Sequence, residues 1–278
     1  LRQGNPARAA QEYEQAIKLR PSDASAFFGL GVAQAAAGRL KEASASFERA
    51  AQLAPKDPEP LRMLAKLQAE QKRYPEAIAT LQRAQKVTPS SASLQMDMAS
   101  LLAASGDLKS AIASSRKIVS ANPKSAAALG QLGGFLVSAG DTKGAREAFK
   151  QALALAPGDA SLLNNAAWVE VESSGGNLDL ALSWATQATK LEPKSAGYLD
   201  TLAWVQRARG DLPQAELTLE SAVKLAPQNG VLLYRLGVVR AERGKSALAA
   251  DTFEQALKLG LPTSDAADAK KRLAATKK

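Results

Sequence analysis

The chain has 278 residues, of which 46% are hydrophobic, 23% charged and only 5% aromatic, a balance that suits a soluble helical protein and not a disordered or collagen-like one. It contains no cysteine and no histidine, which excludes thiol nucleophiles, disulfides, zinc-finger sites and imidazole acid–base chemistry. The formal charge of +9 would suit nucleic acid or an anionic surface, but the basic residues are spread among acids apart from Lys270, Lys271, Arg272, Lys277 and Lys278, and no aromatic-basic interleaving of a base-stacking kind occurs, so nucleic acid is not expected as a partner.

Prolines stand 34 residues apart at Pro21, Pro55, Pro89, Pro123 and Pro157, then follow at Pro193, Pro227 and Pro262. Twelve residues before the first seven lie Ala9, Ala43, Ala77, Ala111, Ala145, Ala181 and Ala215, and Ala249 completes the series. A fixed period near 34 means stacked copies of one unit, whose core grows lengthwise instead of splitting into domains. The array is expected over 1–262. Residues 1–23 hold the second half of a repeat, around Ala9, Tyr13 and Ala16. In 24–57, Leu30 and Gly31 sit in a first helix that Gly38 ends by taking positive φ. Ala43, Phe47 and Ala50 then mark the inward stripe of a second helix, small places letting backbones approach while Phe47 fills the space between layers. Pro55 stops that helix.

Copies follow over 58–91 and 92–125, the latter with Ser115 and Ile118 where Phe and Ala are usual, which predicts looser packing. Segment 126–159 repeats the cleanest pattern with Leu129, Leu132, Gly133, Gly140, Ala145, Phe149, Ala152 and Pro157. Segment 160–195 is two residues longer, the surplus falling in the Ser173–Asn177 turn, where it is expected to change little inside the stack. Segments 196–229 and 230–262 complete seven full repeats, the last with Leu233, Leu236, Gly237, Gly244, Ala249, Phe253 and Ala256. Over 263–278 a capping helix with Ser264 as its N-cap and Leu273 turned inward precedes a basic tail. Leu1 falls inside a repeat, with Gly4 in the turn glycine's place, so the chain is expected to be a fragment whose export signal or anchor would lie upstream. No apolar stretch reaches the roughly 18 residues of a membrane span.

These residues resemble the tetratricopeptide repeat, whose signature is matched by Phe27, Leu30, Gly31, Ala43, Phe47, Ala50 and Pro55 and again along nearly the whole chain. The resemblance implies an all-α, right-handed superhelical solenoid of antiparallel helix pairs, with a half repeat at the front and a capping helix at the end. It also implies that first helices line a concave groove that holds a partner peptide or helix.

One turn apart on that face stand Phe28 and Val32, Arg62 and Lys66, Met96 and Ser100, Gly130 and Gly134, Asn164 and Trp168, Asp200 and Trp204, and Tyr234 and Val238. The peptide-binding candidates are Phe28, Arg62, Lys66, Met96, Asn164, Asn165, Trp168, Asp200, Trp204, Arg207, Tyr234 and Arg235. Two of the three tryptophans occupy equivalent places in adjacent repeats, either as anchors for a ligand or as inter-repeat core. Asn164 and Asn165 offer amides to an extended backbone or cap the helix start. Gly130 and Gly134 either admit a bulky ligand or permit close helix contact. Arg62 with Lys66, and Arg207 with Arg235, are basic spots for carboxylates.

The Lys and Asn pair of the chaperone-type carboxylate clamp is missing from every copy, and the asparagine ladder of the sugar-transferase arm is reduced to Asn165 standing nearly alone. No phosphate loop, nucleophile elbow or metal constellation occurs, and no cofactor is expected. Asp97, Glu170, Glu172 and Asp200 read as solvated faces or helix-terminal charges and not as a catalytic pair. The runs Leu163–Trp168 and Tyr198–Trp204 resemble bacterial envelope tetratricopeptide lipoproteins of exopolysaccharide export and the PEP-CTERM sorting system. That resemblance implies a scaffold in the periplasm or anchored at the outer membrane through a segment outside this chain, although the absence of cysteine suits cytosol equally. The alternative is a substrate-recruiting or regulatory arm of an enzyme whose catalytic domain lies outside the chain; self-association through an exposed end of the stack is a third reading.

Overall fold

The computed structural model describes residues 5–276, and among these residues the chain forms sixteen helices and no strand. A lone helix α1 (Pro6–Leu19) precedes three pairs: α2 (Ala24–Ala36) with α3 (Leu40–Leu53), α4 (Glu59–Glu70) with α5 (Tyr74–Val87), and α6 (Ala92–Ala104) with α7 (Leu108–Ala121). Four further pairs are α8 (Ala126–Ser138) with α9 (Thr142–Leu155), α10 (Ala160–Glu172) with α11 (Leu178–Leu191), α12 (Ala196–Ala208) with α13 (Leu212–Leu225), and α14 (Gly230–Glu242) with α15 (Ser246–Leu259). Helix α16 (Thr263–Thr276) packs on the last pair. The architecture is the all-helical antiparallel-pair array that the period predicts. Its described residues group into two compact units, divided between Pro123 and Lys124.

Local rules start and stop the helices. The second helices from α3 to α13 each end one residue before the residue preceding their proline; α3, for example, stops at Leu53 with Ala54 at φ −124°, the extended backbone that proline favours before it, whereas α15 stops at Leu259, three residues before Pro262. Two residues after the proline comes an N-cap: Asp23, Ser91, Ser125, Asp159, Ser195 and Asn229 each accept a hydrogen bond from a backbone N–H of the first turn that follows. Between helices of a pair, Gly38, Gly106, Gly140, Gly210 and Gly244 take positive φ. Lys72 holds the same place at φ 60°, the one non-glycine residue among those described to do so.

The core is built on paired volumes. A Cβ on Gly31 would stand 2.7 Å from the Phe47 ring, one on Gly133 2.8 Å from Phe149, and one on Gly237 2.7 Å from Phe253. Where the small place is alanine, the large place shrinks: Ala65 is matched by Leu81 and Ala203 by Leu219, all buried. In the third copy Ser115 is buried with no partner for its hydroxyl. In the fifth copy the large place is Ala185, and the third tryptophan, Trp184, fills in beside Ala167, Ala181 and Val205.

Two expectations are corrected here. Ser264 does not cap α16, which already begins at Thr263; its hydroxyl donates to Asp265 at 3.2 Å, and the Pro262 carbonyl takes the first amide bond from Ala266. The long turn after α10 is not neutral filler either. Glu170 is buried and accepts the Asn177 N–H at 2.7 Å, and a Cβ at Gly176 would collide with the Glu170 carbonyl at 1.7 Å.

Candidate functional site

Equivalent first helices lie side by side within each unit, so a side chain on one meets the residue about one repeat onward on the next. The resulting ties share a sequence offset. Arg62 pairs with Asp97, Asp200 with Arg235 and Arg207 with Glu242, each 35 residues apart, and Tyr234 donates to Asp268 across 34 residues at 2.8 Å.

In unit 1, Phe28 is half-buried with its ring 5.8 Å from Phe47, part of the packing between α2 and α3. Beyond it, a hollow of about 360 Å³ opens among α4, α5 and α6, with Met63, Leu81 and Leu101 on its walls and Arg62, Lys66 and Asp97 around it. Arg62 is held by Asp97 and, at 3.3 Å, by Glu59, whereas exposed Lys66 meets no carboxylate among the described residues. Met96 is half-buried beside Asp97 on α6.

Unit 2 carries a different device. The Arg207 guanidinium lies 4.4 Å from the Trp204 ring centroid, and Arg235 lies 4.9 Å from Trp204 and 4.7 Å from Trp168. Arginine and tryptophan therefore alternate as Arg207, Trp204, Arg235, Trp168 across α12, α14 and α10. Each arginine also has its acid: Arg207 donates through Nε to Glu242 at 2.9 Å, and Arg235 pairs with Asp200, both side chains mostly covered at 18% and 15% exposure. Cation–π attraction strengthens when both groups are shielded from water. Burial raises the Asp200 carboxyl above its ordinary value, although Arg235 pulls it down, and its Oδ1 is buried with no hydrogen-bond partner. At the end of the unit, burial first and the bond to Asp268 second push the Tyr234 phenol up to about 12.

Two family models, both of the tetratricopeptide repeat, match residues 1–58 with 201–275 and residues 35–101 with 102–166. The chain belongs to the tetratricopeptide repeat family. Similar solved structures agree on the fold. A tetratricopeptide repeat protein from Parabacteroides merdae is 18% identical, with a TM-score of 0.67 over 96% of this chain and 100% of its own. The crystal structure of the APC/C hetero-tetramer Cut9–Hcn1 gives a TM-score of 0.74 at 14% identity, over 98% of this chain and 53% of the other. Yeast Tom70 gives 0.67 at 18% identity, over 98% and 58%, so this chain spans little more than half of those two. No curated protein sequence matches the chain.

Within this tetratricopeptide repeat protein, the sequence-nominated residues are treated unequally. Trp168, Asp200, Trp204, Arg207, Tyr234 and Arg235 come together in one connected cluster on the first helices of unit 2. Phe28 serves core packing, and the Arg62, Lys66 and Met96 group lies in unit 1. Neither asparagine caps α10, since Asp159 does so by accepting from Leu162 N–H at 3.0 Å. Asn165 is exposed, while Asn164 is half-buried with its Oδ1 unpartnered. A Cβ at Gly130 would press only on the end of the Leu162 side chain, at 2.5 Å, and at Gly134 a Cβ would touch nothing.

The expectation that Asp97, Glu170, Glu172 and Asp200 are solvated charges is corrected for two of them: Glu170, at 6% exposure, takes Arg146 at 3.1 Å and the covered Asp200 takes Arg235, whereas Asp97 pairs with Arg62 while still 37% exposed and Glu172 is exposed. The basic spots are accordingly met by the chain's own acids at Arg62, Arg207 and Arg235. Sequence reasoning also passed over Glu216 of α13. Its side chain is 4% exposed and receives Arg240 at 3.1 Å, Lys245 at 2.9 Å and Arg243, fastening α13 to the turn between α14 and α15. Burial alone would raise this carboxyl, but hydrogen bonds from Lys245, Arg243 and Arg240 hold it below the ordinary value of 4.5. Its partners stand 24, 27 and 29 residues onward, so the signal of an opposite charge one repeat on marks the first-helix pairs Arg62–Asp97, Asp200–Arg235 and Arg207–Glu242 but not these ties.

Among the described residues no group of His, Cys, Asp and Glu could hold a metal ion, and no helix is long and apolar enough to cross a membrane.

Proposed function

We propose that this chain is a non-catalytic protein–protein interaction scaffold that holds an extended segment or helix of a partner along the groove lined by its first helices. The observation that carries this reading is the Arg207, Trp204, Arg235, Trp168 stack. Large amphipathic rings already fixed by neighbouring cations and acids lose little further freedom on binding, which is the condition under which a contact surface gives affinity. The family matches support the same class of role, since they are to a repeat and not to an enzyme.

Binding to a peptide array, compared among the parent chain, Trp168→Ala and Trp204→Ala, tests the reading with helical content checked by circular dichroism. At least about a tenfold loss is expected for a hot-spot tryptophan. Binding that survives both substitutions but is abolished by changes on the second helices refutes the site.

A bacterial envelope assembly, of the secretion or exopolysaccharide kind, is the setting we assign to this scaffold, supported by the runs Leu163–Trp168 and Tyr198–Trp204. A full-length gene with a lipid-attachment signal and no further domain fits that setting, and a catalytic domain in the same gene would make this chain its recruiting arm.

A further inference from the structure

The hollow of unit 1 lies where unit 2 is filled. Its walls include Arg62, Lys66 and Ala69 of α4 with Asp97 and Ala104 of α6. The same places in the copies 196–229 and 230–262 hold Asp200, Trp204 and Arg207 of α12 with Arg235 and Glu242 of α14. One tie is common to both, with its signs exchanged: Arg62 pairs with Asp97, and Asp200 with Arg235, each across 35 residues. The rest differs. In unit 2 the Trp204 ring lies 4.4 Å from the Arg207 guanidinium and 4.9 Å from that of Arg235, and Arg207 closes the gap between the two helices by donating to Glu242. In unit 1 the places of Trp204, Arg207 and Glu242 are taken by Lys66, Ala69 and Ala104, so neither ring nor bridge forms and about 360 Å³ stays open.

That opening keeps what an indole needs. Met63, Leu81 and Leu101 give it apolar walls. The Arg62 side chain is 37% exposed, and Asp97 and Glu59 engage its Nε and Nη1, which leaves the faces of the planar group for stacking. Arg235 shows the same division of labour, its edge held by Asp200 and its face turned to Trp204. Exposed Lys66 brings a second cation to the hollow and meets no carboxylate among the described residues. Cations beside an apolar space favour a ring over an aliphatic side chain, because the ring faces carry the negative part of the quadrupole, and tryptophan gives the strongest attraction of this kind.

We infer that the hollow among α4, α5 and α6 is a subsite for a tryptophan side chain of the partner, which stacks on Arg62 beside Lys66 and takes the place that Trp204 fills from within in unit 2. This rests on the reading of the first-helix face as an interaction surface and gives that surface an anchor point in unit 1.

The chain's three methionines, Met63, Met96 and Met98, allow a direct test, since each gives one methyl resonance, assignable by substitution. Short capped peptides carrying a single tryptophan, leucine or arginine are titrated into the methyl-labelled protein. The tryptophan peptide is expected to move the Met63 methyl upfield with saturation, further than those of Met96 and Met98, because Met63 is the methionine on the walls of the hollow. It should bind about tenfold more tightly than the leucine peptide, with the arginine peptide weakest. Arg62→Leu should remove most of the preference for tryptophan over leucine. Lys66→Trp, a change at an exposed position, should keep the helical content, shift the Met63 methyl without any peptide and block the tryptophan peptide.

Equal binding of the tryptophan and leucine peptides, a Met63 methyl that stays in place, or undiminished binding by Lys66→Trp would overturn the subsite. Should Trp168→Ala and Trp204→Ala abolish peptide binding while the Met63 methyl never moves, the subsite falls and the scaffold reading stands; binding confined to the second helices removes both.

Discussion

Units 1 and 2 are built from the same helix pair, yet they hold their repeats together differently. In unit 1 an apolar cluster of Ala51, Leu61, Leu81, Leu94 and Leu101 runs from α3 to α6, and the ion pairs lie toward the surface, as in Arg8 with Glu12, Arg73 with Glu76 and Arg83 with Glu48. In unit 2 the apolar clusters are joined by sunken charges, Glu170, Asp200 and Glu216. The difference teaches that a repeat array tolerates two kinds of mortar. Surface pairs contribute about 0–1 kcal/mol each, whereas removing one partner of a buried pair strands the others at much greater cost.

Glu216→Ala should break this contrast most sharply. It leaves Arg243 and Lys245 without this carboxylate while Arg240 keeps Glu220 at 2.9 Å, and is expected to cost about 2–3 kcal/mol, against no more than about 1 kcal/mol for Glu48→Ala, with unfolding followed by segment-resolved hydrogen exchange in the intact chain. Acid should act in the same direction. Because the folded Glu216 carboxyl lies below its ordinary 4.5, its contribution is present above that value and disappears as the pH falls through the depressed one. Asp200 is raised, so its ionisation opposes folding at higher pH and partly offsets this trend. Exchange protection in α13 to α15 should therefore fall on acidification in the parent chain and change less in Glu216→Ala; equal acid loss in both would remove Glu216 as the cause.

Glycine substitutions should show what the units share. Gly31→Ala and Gly237→Ala each drive a Cβ to 2.7 Å from a phenylalanine ring, which should destabilise by about 1–3 kcal/mol in either unit, more than the gain in helix propensity. Denaturant unfolding that leaves either variant as stable as the parent would mean the rings can yield.

The smallest effect is confined to unit 1. Lys72→Gly relieves a left-handed lysine at a place where the other repeats use glycine and should stabilise by about 1 kcal/mol, read as a higher denaturation midpoint. An unchanged or lower midpoint would show that the lysine is not strained.

Much of the fold was legible before any coordinates. The proline period, the turn glycines and the exchange of small and large residues between Gly31 and Phe47 all act within one repeat, over at most a few helical turns. The candidate cluster was legible in part: equivalent positions drew attention to Trp168 and Trp204, but nothing in their spacing showed that Arg235 would sit against both. Nor did spacing show that Trp184 would turn into the core while Asp200 and Glu170 left the solvent. The N-cap two residues after six of the prolines, as at Asp23 and Ser91, is an equally local signal, although the same place after Pro262 holds Ser264, which does not cap.

By itself, then, the sequence determined the repeating element, its boundaries and its inward stripe, because helix propensity, capping and amphipathic spacing are local properties of the chain. Only the tertiary structure decided which charges cancel, which rings stack and where an acceptor is left unmet. Those outcomes depend on the registry between neighbouring repeats, where a shift of one residue, from 34 to 35, chooses a different partner for every side chain on the face.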